Sequence, residues 1–342
     1  AVAGEGGVGA MLLNQPAEHP DMPTSTRRTL LTATLLTPAV AKAQPRPIRL
    51  IVPFAPGGGS DTLARLLAIP LSTTLNTNVI VENRAGAGSQ IGAEAVMRAP
   101  PDGTTLLLGD TPLATIPAVQ AAAGRPAPFD AARDFTPITA LTNAPALIVV
   151  NGASRFRTLA DLIATARANS GAVNFASAGT ASSTHLMLEL LQMRAGIRVT
   201  HIPYRGAAPA VQDVVAGTVE ATIMALATAA PLVSSSQVRV LGVMAETRMT
   251  ALPDVPTLRE SGLDLIAGFW WGLLAPPGLP EDQVARLHTA ADTAMASDTV
   301  TARLPALGLD RLRLGPTEFR DHLARETARW AEVVRTAGIR PE

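Results

Sequence analysis

Apolar and polar positions along this chain switch repeatedly between an extended and a helical period. Ile48-Arg49-Leu50-Ile51-Val52-Pro53-Phe54 is a short apolar run, and Thr62-Leu63-Ala64-Arg65-Leu66-Leu67 follows with apolar residues at helical spacing. The pair predicts a strand over 48–54 and a helix over 61–75. Val79-Ile80-Val81-Glu82 predicts the next strand, followed by a glycine turn, a helix ending near Arg98, the Pro101-Asp102-Gly103 turn and a buried strand at Thr104-Thr105-Leu106-Leu107-Leu108. Strands alternating with helices at this spacing predict right-handed crossovers and a mainly parallel sheet flanked by helices. Pro70 lies inside the first helical pattern and predicts a kink or interruption there.

A second series starts at Leu147-Ile148-Val149-Val150. Its pattern predicts helices over 158–169, 183–194 and 207–216, and strands over 173–176, 198–202, 219–223 and 238–244. The series repeats the architecture of the first without repeating its sequence, so the expected fold class is α/β with two domains. The expected division is 46–146 for the first part of domain one, 147–268 for domain two and 269–342 for a return to domain one. Pro277-Gly278 predicts a sharp turn before a helix near Glu281, and a last helix is expected over 317–335.

Composition narrows the function. The chain has 342 residues, 47% of them hydrophobic, enough for two ordinary cores. Its 28 basic and 28 acidic residues balance, and no run is strongly basic, which argues against a nucleic-acid surface. There is no cysteine, so disulfides and thiol catalysis are excluded. Arg27-Arg28, the apolar stretch Thr29 to Leu36 and the small-residue exit Ala41-Lys42-Ala43 predict a cleavable signal peptide from about Met22 to Ala43, making 1–43 non-mature sequence and the mature protein periplasmic. The stretch is too short and threonine-rich for a membrane span. Lys42 is the only lysine, so arginine carries all positive side-chain charge after the signal.

The candidate chemistry starts at Pro53-Phe54-Ala55-Pro56-Gly57-Gly58-Gly59-Ser60-Asp61. A glycine turn between a strand and a helix offers bare N–H groups and a helix N-terminus to an anion. No Gly-Lys-Ser/Thr ending follows, and Gly86-Ala87-Gly88-Ser89-Gln90-Ile91-Gly92 misses the dinucleotide spacing, so a carboxylate fits better than a phosphate. In a doubly wound sheet the loops 54–61, 83–90, 109–112 and 177–184 converge on one crevice. Gly58, Gly59 and Ser60 are expected to donate from one side, and Gly179, Thr180, Ser182 and Ser183 from the other. Two such helix starts suit a dicarboxylate, or a carboxylate with a second polar end. Asp61 is awkward in an anion site; it is expected to cap the helix or order the glycine loop, with a ligand ammonium or a bridging water as the alternative. Phe54 is read as pocket wall or core, Asn83 and Ser89 as ligand contacts or turn ties, Arg205 as ligand partner or salt bridge, and Trp270 and Trp271 as wall, hinge or core.

Catalysis has weaker support. His185 and His201 lack the further ligands of a transition-metal site, and no metal or cofactor is expected. Ser177, Asp213 and His185 could compose a hydrolase, but Gly179-Thr180-Ala181-Ser182-Ser183 is not a nucleophile elbow.

The motifs resemble, as a set, the Bug family of periplasmic receptors for tripartite tricarboxylate transporters. The matching segments are Ile51 to Asp61, Val81 to Gly88, Pro101-Asp102-Gly103, Asp134 to Ile138, Ser177 to Leu186, His201 to Gly206, Pro253 to Thr257 and Gly272 to Pro280. They cover most of the chain after the signal. The resemblance implies a type II-like Venus-flytrap fold of two domains, crossed twice by the chain, and no catalytic residue. It implies a monomer that binds a small organic carboxylate and presents it to the membrane subunits of the transporter. Carried over to this sequence, the family pocket falls on Phe54, Gly58, Gly59, Ser60, Asp61, Ser89, Ala178, Gly179, Thr180, Ser182 and Ser183. Where the family has an aspartate-asparagine pair after the 219–223 strand, this chain has Met224 and Ala225. That exchange predicts an apolar pocket wall and favours a monocarboxylate or aromatic carboxylate over a compact amino dicarboxylate. The competing readings are a periplasmic serine-dependent hydrolase and a ligand sensor for a membrane kinase.

Overall fold

A computed structural model describes residues 46–339. The expected signal peptide and the segment before it lie outside the described residues. The first series runs β1 (Ile48–Val52), α1 (Gly59–Leu75), β2 (Val79–Asn83), α2 (Gln90–Met97), β3 (Thr105–Asp110) and α3 (Pro112–Ala122), with a 3₁₀ turn at Ala87–Ser89 before α2. A strand of 16 residues, β4 (Thr136–Asn151), leads into the second series. There follow α4 (Leu159–Ala168), β5 (Asn174–Ser177), α5 (Ser183–Ala195), β6 (Thr200–Pro203), α6 (Ala207–Ala216), β7 (Ala221–Ala225), α7 (Leu226–Ser234) and β8 (Val238–Val243). The chain returns through β9 (Gly268–Ala275), α8 (Glu281–Ala296), the single turns α9 (Asp298–Thr301) and α10 (Leu304–Leu307), β10 (Asp310–Leu314) and α11 (Pro316–Ala337).

The strands form one mixed sheet in the order β2-β1-β3-β9-β4-β7-β5-β6, with β10 and β8 also on β4. Pairing is parallel where helices make the crossovers, in β2-β1-β3 and β7-β5-β6. It is antiparallel where β4 and β9 join the two sets. β4 changes partners midway: Thr136 to Pro145 pair with β9, and from Ala146 the strand pairs with β7 and β8. The change is pinned by main-chain bonds from Ala146 N to Ala267 O at 3.0 Å and from Met244 N to Ala146 O at 2.8 Å. Gly268 is needed there, because a Cβ would stand 2.3 Å from the Ala144 carbonyl oxygen.

Pro70 does not interrupt α1, so of the kink or interruption expected from the sequence the interruption does not occur. The helix runs through it to Leu75 and ends on Asn76 in the left-handed region at φ 50°. Leu63, Leu67, Leu71 and Leu75 bury one continuous stripe of α1. At about 1.5–3 kcal/mol per buried leucine, that stripe outweighs the one hydrogen bond the proline forfeits. α8 packs on α1 and β4, whereas α11 packs on α3 and β4 and also reaches α5. α1 starts at Gly59, two residues before the expected 61, inside the glycine loop.

Candidate ligand site

The loop after β1 is built to leave donors open. Gly58, extended at ψ 176°, precedes the first turn of α1, and no side chain caps the helix. A helix start without a cap leaves its first N–H groups unbonded, here those of Gly58, Gly59, Ser60 and Asp61. Gly57, Gly58 and Gly59 are exposed, whereas Ser60 and Asp61 are buried behind them. Asp61 is the brace of the loop and caps nothing. Its Oδ2 accepts from Gly57 N at 3.0 Å and Arg65 Nε at 2.9 Å, and its Oδ1 from Asn83 Nδ2 at 3.0 Å. Hydrogen bonding by Arg65, together with bonds from Gly57 and Asn83, holds the carboxyl down at about 2 although burial opposes this. The same Asn83 amide donates to the Phe54 carbonyl at 3.0 Å, so Asn83 ties the turn. Phe54 is half-buried against the core of the first series.

A second layer lies under the glycines. Trp271 Nε1 donates to Ser60 Oγ at 2.8 Å, and its ring would lie 3.8 Å from a Cβ on Gly59. Ser60 Oγ in turn approaches Asp110 Oδ2 at 3.4 Å. Asp110 ends β3, the strand beside β1, and its register partner on β9 is Trp271. Its other oxygen is buried with no partner, as is Ser89 Oγ, and burial pushes the Asp110 carboxyl well above the usual range. Ser89 holds φ 97° at the end of the 3₁₀ turn. Trp270, the neighbour of Trp271, is core: it packs edge-on to Phe319 and His322.

The loop after β5 has the opposite economy. Ala178 N donates to Thr184 Oγ1 at 3.0 Å, Gly179 N to Ser177 Oγ at 3.1 Å, Ala181 N to His185 Nδ1 at 2.9 Å and Ser182 N to Gly179 O at 3.1 Å. Ser182 Oγ caps α5 through His185 N. The expectation that Gly179 and Ser182 donate their N–H groups outward is therefore corrected: both are used inside the loop. The N–H groups of Thr180 and of the first helical residues, Ser183 and Thr184, make no such bond among the described residues. The loop is buttressed by two stacked imidazoles, His185 and His201, with centroids 3.8 Å apart. His201 Nε2 lies 2.6 Å from the hydroxyl of buried Ser177, and burial, followed by the proximity of His185, lowers its pKa to about 4.

Comparison with known proteins bears on what such an arrangement serves. The sequence profile of the tripartite tricarboxylate transporter family receptor, TctC, matches residues 63–339. A UPF0065 protein from the tcbD-tcbE intergenic region of Pseudomonas sp. strain P51 is 36% identical over 92% of this chain and 96% of its own. The chain belongs to this receptor family, the Bug proteins. Two solved Rhodopseudomonas palustris proteins share its fold. One, with adipate, is 32% identical over 87% of this chain and 99% of that one, with TM-score 0.77. The other, MatC with bound malate, is 33% identical over 85% and 99%, with TM-score 0.73. The receptor thus has the α/β periplasmic binding-protein fold, consistent with type II. Membership places it among solute-binding transport proteins and not among catalysts.

The hydrolase constellation does not assemble in the receptor. Asp213 accepts from Tyr204 Oη at 2.6 Å, His185 bonds Ala181 and lies 3.4 Å from Glu189, and Ser177 faces His201 instead. Among the described residues no group of three His, Cys, Asp or Glu side chains could hold a metal. Arg205 is exposed and, among the described residues, makes no ion pair, so the expected inter-element salt bridge is not formed. Met224 packs into an apolar cluster with Leu147, Val149 and Leu226, whereas Ala225 is only partly buried and packs against the core of the first series. Two shallow depressions of about 260 and 430 Å³ lie elsewhere, on β8 and between α5 and α11. The signal sequence reasoning missed is the acid closing the apolar run of β3, together with the Trp271 indole that reaches it through Ser60.

Proposed function

We propose that this protein is a periplasmic receptor that captures a small organic carboxylate between the 54–61 and 177–184 loops and delivers it to the membrane subunits of a tripartite tricarboxylate transporter. The observation that carries this reading is the uncapped, exposed start of α1, whose Gly58 and Gly59 N–H groups are open while Asp61 is neutralised by Arg65. That arrangement suits an anion without offering a net negative neighbour. The related proteins holding malate and adipate support a carboxylate. Phe54, Ser89, Ala178, Thr180, Ser182 and Ser183 complete the proposed pocket, with Gly179 as the turn that shapes it. Ala225 supplies an apolar stretch of wall, and Met224 backs it from the core. The ligand's far end is accordingly apolar or aromatic, in preference to a compact amino dicarboxylate.

Closure uses the place where β4 changes partners and β9 begins, which makes 46–146 with 269–342 one moving body and 147–268 the other. The receptor acts as a monomer, is exported by the signal peptide and needs no cofactor. A thermal-shift and calorimetric screen of monocarboxylates, aromatic acids and dicarboxylates, with mass spectrometry of the recovered ligand, tests the reading. Stabilisation by an acid recovered intact is expected. Steady conversion to a product would instead favour hydrolysis, and tight aspartate or citrate binding without any aromatic acid would overturn the apolar wall.

A further inference from the structure

Asp110 is the one buried carboxyl of the seat that no cation accompanies. The ionisable groups on the elements packed against β3 are Asp61 and Arg65 of α1, Arg49 of β1 and Glu94 of α2, while β9 and α3 carry none. Each is engaged elsewhere: Asp61 with Arg65, Arg49 with Glu82 at 3.1 Å, and Glu94 with Arg98 and Gln90. Ser60 Oγ receives the Trp271 indole proton, so its own hydrogen is directed at Asp110 Oδ2, a long contact at 3.4 Å. Oδ2 is then the accepting oxygen, and the acid proton belongs on Oδ1, which is buried and has no acceptor. An ionised carboxylate in this place would be a buried charge with one weak hydrogen bond, which is strongly unfavourable.

We propose that Asp110 is a positioning residue that stays an uncharged acid while the seat holds an anion, so that carboxylate binding is linked to the uptake of a proton. The inference rests on the carboxylate reading of the 54–61 loop. Asp110 acts through Ser60: its neutral form orients the hydroxyl and leaves the Ser60 N–H, one of the open donors, free of a negative charge behind it. Ionisation places that charge beneath the bound anion. By linkage, anion binding strengthens the hold of Asp110 on its proton to the same degree that ionisation weakens the anion. Affinity is therefore flat below the pKa of Asp110 in the free protein and falls above it, with a limiting slope of about tenfold per pH unit.

Titration calorimetry of full-length protein with benzoate and adipate, from about pH 5 to about pH 9, reads this directly. Asp110→Asn, a neutral isostere, is expected to bind within about threefold of the wild type on the acid plateau and to lose the alkaline fall. A loss beyond about tenfold on the plateau would mean that Asp110 accepts a donor from the ligand, and a pH profile shared with the wild type would mean that it is not the linked group; either overturns the proposal. Infrared difference spectra of the ligand-free proteins, wild type minus Asp110→Asn at about pH 6, separate this from failure of the carboxylate reading. A protonated-carboxyl band lost in the variant is expected even where neither acid binds, and absence of that band overturns the proposal by itself.

Discussion

The loops after β1 and β5 look alike in sequence, each a glycine turn with hydroxyls opening a helix, and they differ in where their N–H groups go. The 54–61 loop is braced from behind by an ionised side chain, Asp61 held by Arg65 and Asn83, and its exposed glycines keep their donors open. The 177–184 loop is braced from within by neutral groups, and Ala178, Gly179, Ala181 and Ser182 all donate inside it. The difference teaches that a count of glycines and serines does not measure the donors a loop can offer. What decides is which side chain satisfies the loop itself. In the proposed reading the first loop is the anion seat, and the second a preformed surface that meets the ligand through Thr180 and the start of α5.

The sharpest way to break the first loop is Asp61→Ala, which leaves the Gly57 N–H and the Asn83 amide without their partner. We expect a loss of about 2–3 kcal/mol in urea unfolding, with weaker acid binding. Because the pKa of Asp61 is lowered to about 2 in the folded protein, its contribution is complete above the ordinary value of 3.8 and is lost as pH falls towards 2. An unfolding series in acid should show that loss in the wild type and not in the variant.

The corresponding change in the second loop is Ser177→Ala, which frees His201 Nε2 and the Gly179 N–H. About 1–2 kcal/mol is expected, because the groups are neutral and Gly179 is partly open to water. Slower hydrogen exchange at Gly179 in the variant than in the wild type would contradict the role given to Ser177.

A smaller effect comes from His201 alone. Its pKa is lowered from 6.5 to about 4, so between those values the unfolded chain binds more protons, and stability falls as pH drops from 6.5 towards 4. Thermal unfolding of His201→Gln should lack that portion of the acid slope, and an unchanged slope would assign it elsewhere.

Much of this was legible in the sequence: β1, α1, β2, β3 and α6 follow from the period of their apolar residues, and α5, buried on nearly every side, from its long apolar run after Ser182. The joining pieces were not. β4 is partly Thr136-Pro137-Ile138-Thr139-Ala140-Leu141-Thr142, whose proline and threonines hide a strand that its partners on both sides stabilise. α3, apolar nearly all round and containing a proline, shows no helical stripe to read, and α7 is a short helix whose stripe at Leu226, Ala229 and Val233 is interrupted in the sequence by Pro231. At the site, the glycine loop and the hydroxyl loop could be named from local spacing. Their internal bonding could not, since Asp61 to Asn83, Ser60 to Trp271 and Ser177 to His201 are contacts between residues far apart in the chain.

The most direct test removes one N–H from each helix start without altering the helix. Gly59 and Ser183 are both first helical residues, each preceded by an extended residue, so proline is tolerated at either place; it deletes one N–H at Gly59, and at Ser183 one N–H together with the side-chain hydroxyl, for which Ser183→Ala is the control. With circular dichroism unchanged in both variants, calorimetry of the bound acid should show Gly59→Pro weakening binding about 10–100-fold and Ser183→Pro less than about fivefold. Equal losses, or a greater loss at Ser183, would contradict the assignment of the anion seat to the loop after β1.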